Sequence, residues 1–235
     1  MEFNPIVSTK LYKQVIEQIK ERIYNKTLKK GDKLPSERDM AVMLGVSRTA
    51  IREGLRSLEM LGITESRQGE GTFIVSSFPE YKIFEPLSLI FMLENNTVEL
   101  LDVRSMLEIE CAGMAADFIT PEELDVLEGY RLLLTGEREG KITEEADYTY
   151  HSLIAKASHH TLLYYMYSSI NEVVSHHIVD MRQLILEDPN NSEILASQHN
   201  EIYQAILLKN RDQARQAMRE HMQYVHDQLC RKYKE

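Results

Sequence analysis

The chain has 235 residues, 43% hydrophobic and 27% charged, which is typical of a folded globular protein of one to two domains. No segment approaches the roughly 18 consecutive apolar residues of a membrane span. The N-terminus, Met1-Glu2-Phe3, has no signal-peptide pattern. Cys111 and Cys230 lack metal-finger spacing and cannot form a disulfide framework. These features exclude membrane-spanning and disulfide-rich secreted proteins and predict a soluble cytoplasmic protein.

The net charge of −10 conceals an asymmetry along the chain. Residues 1–75 carry 13 lysines and arginines against 10 acidic residues, whereas residues 76–235 carry 14 against 27. All eight histidines lie in the second segment. This contrast predicts two domains with separate roles, at 1–75 and 86–235, joined by a proline-containing linker at 76–85.

Apolar periodicity and capping residues predict three helices in the basic segment. Helical spacing of apolar residues predicts a first helix over 9–27. Ser36 and Ser47 are candidate N-caps of helices over 37–44 and 48–61, with a glycine in the turn between them. Helix, tight turn and helix in this order are typical of the helix-turn-helix motif.

A β-hairpin is predicted directly after these helices. Strand-like runs at 63–66 and 72–75 flank the glycine-rich sequence at 68–71. The complete order predicts a winged helix-turn-helix domain, formed by three helices and a two-stranded wing.

Arginines at four-residue spacing lie on one face of the second helix of the pair. These are Arg48, Arg52 and Arg56. A helix fits the major groove of DNA, where an arginine bridges O6 and N7 of guanine. Ser47 and Thr49, at the start of the helix, are suited to phosphate oxygens. Solvated surface arginines are the alternative, but the turn, the cap and the wing together favour DNA recognition.

Three segments of this domain form a connected pattern: Gly31-Asp32-Lys33-Leu34-Pro35-Ser36-Glu37-Arg38, Leu44-Gly45-Val46-Ser47-Arg48 and Ile51-Arg52-Glu53-Gly54-Leu55. The pattern resembles the DNA-binding signature of the GntR family of bacterial transcription regulators. Gln68-Gly69-Glu70-Gly71-Thr72-Phe73-Ile74 resembles the wing of that family. The resemblance implies operator contacts from Arg38, Ser47, Arg48, Thr49, Arg52 and Gly69. It departs at Glu70, where an acid at the wing tip is poorly suited to a phosphate or a minor groove.

The acidic segment is predicted to contain helices only. Thr120-Pro121-Glu122-Glu123 combines an N-cap, a proline at the first helical position and acids in the first turn. The predicted spans are 86–94, 97–118, 121–139, 143–158, 160–187, 191–209 and 211–232. The fold class is therefore mainly α, with an all-α helical bundle after the winged domain.

Four polar residues on three of these helices are candidate metal ligands. Asp147 and His151 are one helical turn apart, on a face that continues through Ile154. His199 and His221 each lie on an apolar stripe of a later helix. One carboxylate and three imidazoles inside a bundle suit Zn²⁺, Ni²⁺ or Mn²⁺ and leave coordination positions open. The alternative is hydrogen-bonded core histidines and a surface bond between Asp147 and His151.

The same residues stand in a second family pattern: Asp147-Tyr148-Thr149-Tyr150-His151, then His199 in Gln198-His199-Asn200-Glu201-Ile202-Tyr203, then His221 after Ala214 and Met218. This pattern is similar to the FCD ligand-binding domain of the FadR-type branch of GntR regulators. In metal-containing members, the aspartate and three histidines at these positions bind a divalent ion. Tyr150 and Gln198 depart from the usual Phe and Glu, and Gln198 could alter the surroundings of the ligands.

The FCD resemblance also implies an effector residue, Arg104, which matches an arginine that often points into the cavity. Its guanidinium would clamp a small carboxylate opposite an open metal position. An exposed arginine, or one paired with Glu108 at i, i+4, is the alternative.

Taken together, the sequence predicts a metabolite-responsive transcription regulator, interpreted as a repressor. One recognition helix covers a half-site, so a homodimer on a palindromic double-stranded DNA operator is expected. A metalloenzyme, a hydrolase fused to a DNA-targeting module, is the alternative. The lack of a convincing general base beside the four ligands favours the regulator. Architectural DNA binding would leave the histidines unexplained.

Overall fold

The computed structural model describes residues 10–76, 97–136, 144–171, 185 and 189–232. The chain divides into two compact units, Met1–Ile83 and Phe84–Glu235. Most of the linker predicted at 76–85 lies outside the described residues, so the domain boundaries of the sequence analysis stay a prediction.

The first unit contains three helices, α1 Leu11–Tyr24, α2 Glu37–Leu44 and α3 Arg48–Met60. Helix α1 is shorter than the predicted span of 9–27, because the backbone leaves the helix at its C-terminal end. Lys26 adopts a left-handed φ of 57°, and the N–H groups of the next two residues bond back to the carbonyl of Arg22.

Serine caps start both helices of the helix-turn-helix. The hydroxyl of Ser36 accepts a bond from the backbone N–H of Asp39, and that of Ser47 accepts from Ala50, each at 3.2 Å. Gly45 ends α2 with a φ of 63°, a left-handed conformation that a glycine adopts without steric cost. The predicted caps and turn glycine therefore set where α2 begins and ends and where α3 begins.

The wing is a two-stranded antiparallel sheet, β1 Thr64–Arg67 and β2 Gly71–Ile74. Its register pairs Thr64 with Ile74 and Arg67 with Gly71. Each strand differs by one residue from its predicted span. Buried residues of the three helices, the wing and the segment before α2 form one core: Val15, Ile19, Leu34, Met40, Ile51, Leu55, Leu58 and Ile74.

The described part of the second unit is helical. Its helices are α4 Thr97–Phe118, α5 Pro121–Leu134, α6 Glu144–Ala157, α7 over residues 161–171, α8 Pro189–Leu207 and α9 Arg211–Lys232. The predicted helix over 86–94, and most of 172–187, lie outside the described residues. Helix α5 ends at Leu134, earlier than predicted, where Gly136 adopts a left-handed φ of 75°.

Helix α4 is central to the bundle, packing against α6, α8 and α9. Small residues allow its close approach to α9: a Cβ added at Gly113 would lie 2.6 Å from Cγ of Arg215. A buried core joins these helices and includes Ala112, Ala116, Ile154, Ile202 and Met218. The predicted fold class, a winged helix-turn-helix domain followed by a helical bundle, is confirmed. No described helix has the length and apolar character needed to cross a membrane.

Candidate metal centre and candidate nucleic-acid interface

Three histidines from three helices meet inside the bundle. His151 of α6, His199 of α8 and His221 of α9 are each at most 3% exposed. Their ring centroids are 4.7 to 5.5 Å apart, and one nitrogen of each lies within 4.8 Å of the others. The apolar stripes around each histidine carry them to this point, since the same faces bury Ile154 and Met218 in the core.

Asp147, the fourth predicted ligand, is partly exposed and lies beside His199. Its Oδ1 lies 3.1 Å from Nε2 of His199, which is itself 3.4 Å from Nε2 of His151. Metal–ligand bonds of roughly 2.0–2.2 Å place neighbouring N and O donors about 3 Å apart, close to these separations. The donor set therefore fits one divalent ion of the kind that prefers imidazole and carboxylate.

Outer contacts hold two of the imidazoles in the tautomer that a metal needs. Nδ1 of His151 lies 2.5 Å from Oε2 of Glu108, and Nδ1 of His221 lies 3.1 Å from Oε1 of Gln198. A carboxylate or amide oxygen accepts a hydrogen bond from Nδ1–H, so we assign the Nδ1–H tautomer to both rings. Each Nε2 then presents a lone pair toward the centre.

Burial also favours the neutral form of His221. Loss of hydration, reinforced by the neighbouring His199 and His151, lowers the pKa of His221 well below its usual value. The ring is therefore unprotonated near neutral pH, as a ligand must be. The backbone carbonyl of His199 accepts a 2.8 Å bond from the hydroxyl of Tyr150, which fixes this stretch of α8 against α6.

Arg104 lies on α4 and is buried, so it is not an exposed arginine, whereas the other alternative, pairing with Glu108, is observed. Its Nε donates to Oε1 of Glu108, one turn along the helix. The other oxygen of Glu108 faces His151. Burial alone would raise the pKa of Glu108, but Arg104 and His151 outweigh it and lower that pKa. Sequence reasoning considered Glu108 only as a partner for Arg104 and missed its contact with a candidate ligand.

The candidate DNA contacts are all exposed in the first unit. They are Arg38, Ser47, Arg48, Thr49, Arg52 and Gly69. Gly69, at the wing tip, has a φ of 78° that favours glycine at this turn position. Arg48 and Arg52 project from the first turns of α3, the end of a recognition helix that reads bases.

Glu37 of α2 is a further residue of this surface that sequence reasoning missed. Its carboxylate accepts bonds from Nε and Nη2 of Arg52, the shortest at 2.8 Å, and lies 3.8 Å from Arg48. The hydrogen bond from Arg52 is the main reason why the pKa of Glu37 is lowered. This pairing orients the guanidinium of Arg52 beside Arg48.

A winged helix-turn-helix unit followed by a helical bundle with a buried histidine centre defines a two-domain DNA-binding regulator. Residues 11–74 match the family model described as bacterial regulatory proteins, gntR family, and residues 99–224 match the FCD domain. The chain belongs to the GntR family and carries an FCD domain, which confirms the resemblance found in the sequence.

Curated relatives cover almost the whole chain. The HTH-type transcriptional regulator LutR of Bacillus subtilis is 33% identical over 91% of this chain and 98% of its own length. The putative L-lactate dehydrogenase operon regulatory protein of Escherichia coli is 30% identical, over 96% and 89%. The Glc operon transcriptional activator of Escherichia coli is 32% identical, over 92% and 87%.

A solved structure gives the same result for the fold. The Streptococcus agalactiae GntR protein matches with a TM-score of 0.64 and 29% identity, over 92% of this chain and 99% of that one. These relatives are transcription regulators, so this chain is a DNA-binding transcription regulator and not an enzyme. The metalloenzyme alternative is thereby set aside.

Proposed function

We propose that this protein regulates transcription in response to a small carboxylate, bound beside a divalent metal ion in the FCD domain. The observation that carries the proposal is the convergence of three buried histidines, His151, His199 and His221, with the partly exposed carboxylate of Asp147 3.1 Å from His199. A divalent ion held by them supplies positive charge and open coordination positions for an oxygen ligand. Zn²⁺, Ni²⁺ and Mn²⁺ are the candidates that suit this donor set.

Arg104 is the proposed effector residue. It is 5% exposed and lies one turn from Glu108, whose carboxylate also contacts His151. A guanidinium in a site shielded from water binds a carboxylate through charge-assisted hydrogen bonds. The names of two relatives refer to a lactate dehydrogenase operon and a Glc operon. We therefore choose L-lactate as the first effector to test, with glycolate and pyruvate as small carboxylates of similar chemistry beside it.

We further propose that the first unit binds a palindromic operator as part of a homodimer. Each recognition helix covers one half-site, and two helices related by a two-fold axis read half-sites about one helical turn apart. Arg48 and Arg52 contact bases, and Arg38 contacts a base edge or a phosphate. The remaining residues, Ser47, Thr49 and Gly69, contact the DNA backbone. Because bacterial DNA lies in the cytoplasm, we expect the protein to act there.

The proposed response is that the protein represses transcription when it is bound to its operator, and that the effector weakens this binding. An effector shifts DNA affinity only if it binds the DNA-competent and DNA-incompetent states differently. Arg104 is on α4, the first described helix after the wing in the sequence. A carboxylate that draws Arg104 away from Glu108 would shift α4, with a coupling of about 1–3 kcal/mol, or roughly 5- to 150-fold.

The experiment is an operator titration with and without each acid, combined with native mass spectrometry of the purified protein. We expect one metal ion per chain, a dimer, and an operator affinity that falls when the correct acid is added. His199→Ala should lose both metal and response while retaining effector-free DNA binding. His226→Ala, outside the cluster, is the matched control and should behave as wild type. A full response in metal-free His199→Ala protein would reduce the proposed metal to a structural role.

A further inference from the structure

The carboxylate of Glu108 contacts both the proposed effector residue and one of the proposed metal ligands. Oε1 accepts from Nε of Arg104, and Oε2 faces Nδ1 of His151 at 2.5 Å. The Glu108 side chain is 2% exposed, so water does not compete for either oxygen. The proposed effector residue and one proposed metal ligand are thus joined by a single buried anion.

The two contacts have opposite consequences for binding. The negative charge of Glu108 beside Nδ1–H of His151 fixes the ring and raises the basicity of Nε2, which strengthens metal binding. Toward Arg104, the same charge neutralises the guanidinium before an anionic ligand arrives. An incoming carboxylate therefore competes with Glu108 for Arg104 and is repelled by it at close range.

Gln198 provides an internal comparison. Its Oε1 accepts the equivalent bond from Nδ1 of His221, at 3.1 Å. The Gln198 side chain is neutral, so it orients its histidine without placing a charge near Arg104. Both Glu108 and Gln198 therefore orient a histidine, but only Glu108 also neutralises Arg104.

We propose that Glu108 is a positioning residue that sets metal affinity and effector affinity against each other. It strengthens metal binding through His151 and weakens carboxylate binding through Arg104. This inference rests on the proposed function, because it assigns a regulatory balance to the same site. A merely structural Glu108 would instead lower both affinities when replaced.

The test measures two affinities in three variants of the full-length protein. Zn²⁺ affinity is measured by competition with a chromogenic chelator. Carboxylate affinity is measured by calorimetry on Zn²⁺-saturated protein, with whichever of acetate, glycolate and L-lactate binds wild type most tightly. Glu108→Gln removes the charge and keeps the shape, whereas Gln198→Met removes the acceptor at the matched position.

Glu108→Gln is expected to bind Zn²⁺ on the order of 10-fold more weakly, as for other groups that hydrogen-bond a metal ligand. Its carboxylate affinity at saturating Zn²⁺ is expected to rise several-fold. Gln198→Met should also lose Zn²⁺ affinity, yet its carboxylate affinity should stay within about twofold of wild type, because Arg104 keeps its neutralising partner. Opposite shifts in Glu108→Gln alone are the signature of the proposal.

Two outcomes overturn the inference. If Glu108→Gln lowers both affinities, or leaves the carboxylate affinity unchanged, Glu108 does not restrain Arg104. If wild type binds neither Zn²⁺ nor any of the acids, the proposed function fails and the inference falls with it.

Should Glu108→Gln fail to fold, the double variant Arg104→Gln/Glu108→Gln, in which both partners are neutral, takes its place. That double variant must lose Zn²⁺ affinity without any gain in carboxylate affinity, and a gain would contradict the role of Arg104.

Discussion

Each unit contains an arginine–glutamate pair at its candidate site, and the two pairs differ mainly in burial. The side chains of Arg52 and Glu37 are 50% and 31% exposed, whereas those of Arg104 and Glu108 are 6% and 2% exposed. An exposed ion pair contributes about 0–1 kcal/mol, since water solvates both partners when they separate. A buried pair has no such alternative, and removing one partner costs about 3–5 kcal/mol.

This difference matches the partner that each arginine is proposed to meet. Arg52 must share Glu37 with an arriving DNA base, and an exposed pair rearranges at little cost. Arg104 is proposed to exchange Glu108 for a carboxylate inside the bundle, where an unpaired charge is strongly unfavourable. Only a ligand that replaces the lost negative charge satisfies Arg104, so burial itself selects for an anion.

The largest predicted effect is the loss of the buried arginine. Arg104→Met leaves the Glu108 carboxylate with His151 as its remaining partner. We expect the free energy of unfolding of the metal-free second unit to fall by about 3 kcal/mol, the lower end for a broken buried pair. Urea unfolding followed by circular dichroism measures the change. The exposed counterpart, Arg52→Met, should leave the free energy of unfolding nearly unchanged, because water solvates both partners of that pair, and equal losses would remove the distinction.

The next effect concerns base recognition by the exposed arginines. Arg48→Ala and Arg52→Ala should each weaken operator binding by about 1–3 kcal/mol and relax sequence preference, with no loss of folding. Lys33→Ala, on the strand-like segment that pairs with the wing at Phe73, should weaken operator and scrambled DNA alike if it contacts only phosphate. Fluorescence anisotropy with both DNAs measures the difference. Unchanged selectivity in both arginine variants would show that α3 does not read the bases.

A smaller effect separates capping from DNA contact. Ser47 and Thr120 each accept a 3.2 Å bond from a backbone N–H in the first turn of their helix. Ser47→Ala and Thr120→Ala should therefore each cost about 1 kcal/mol of stability, as lost N-caps do. Thermal unfolding measures both. Only Ser47→Ala should also weaken operator binding, and a similar loss in Thr120→Ala would indicate that the effect comes from stability alone.

Local signals account for the part of the structure that the sequence predicted well. A cap acts on a group three residues away, so Ser36, Ser47 and Thr120 reveal their helices without knowledge of the tertiary fold. Helix ends were less accurate, because Lys26 and Gly136 leave the helical conformation in a way that apolar periodicity does not register. The histidine cluster could be predicted because the apolar face of each helix must point into the core, and each histidine lies on such a face.

Contacts between residues of different helices could not be predicted in the same way. Glu108 and His151 are 43 residues apart, and Glu37 and Arg52 are 15 apart. Spacing identifies the pair of Arg104 with Glu108 on one helix, yet not the second oxygen that faces α6. A signal was present: an acid on the same face as Cys111 and Ala112 must be buried, and a buried carboxylate requires partners.

The smallest predicted effect tests whether Glu37 positions Arg52 or simply neutralises it. Because Arg52 lowers the pKa of Glu37, the stabilisation by the pair is present above the usual glutamate pKa of about 4.3 and is lost as the pH falls through the lowered value. At neutral pH, Glu37→Gln should cost less than about 1 kcal/mol of stability, since the pair is solvated.

Its effect on DNA is more informative than its effect on stability. Removing an anion from the interface should strengthen binding to scrambled DNA on the order of fivefold at low salt, an effect that salt screens. Operator binding should gain less, because Arg52 loses the bidentate contact that orients it, so the ratio of operator to scrambled affinity falls. Anisotropy titrations at two salt concentrations measure this ratio. If both DNAs gain equally, Glu37 contributes only charge, and the fixed orientation of Arg52 has no part in sequence recognition.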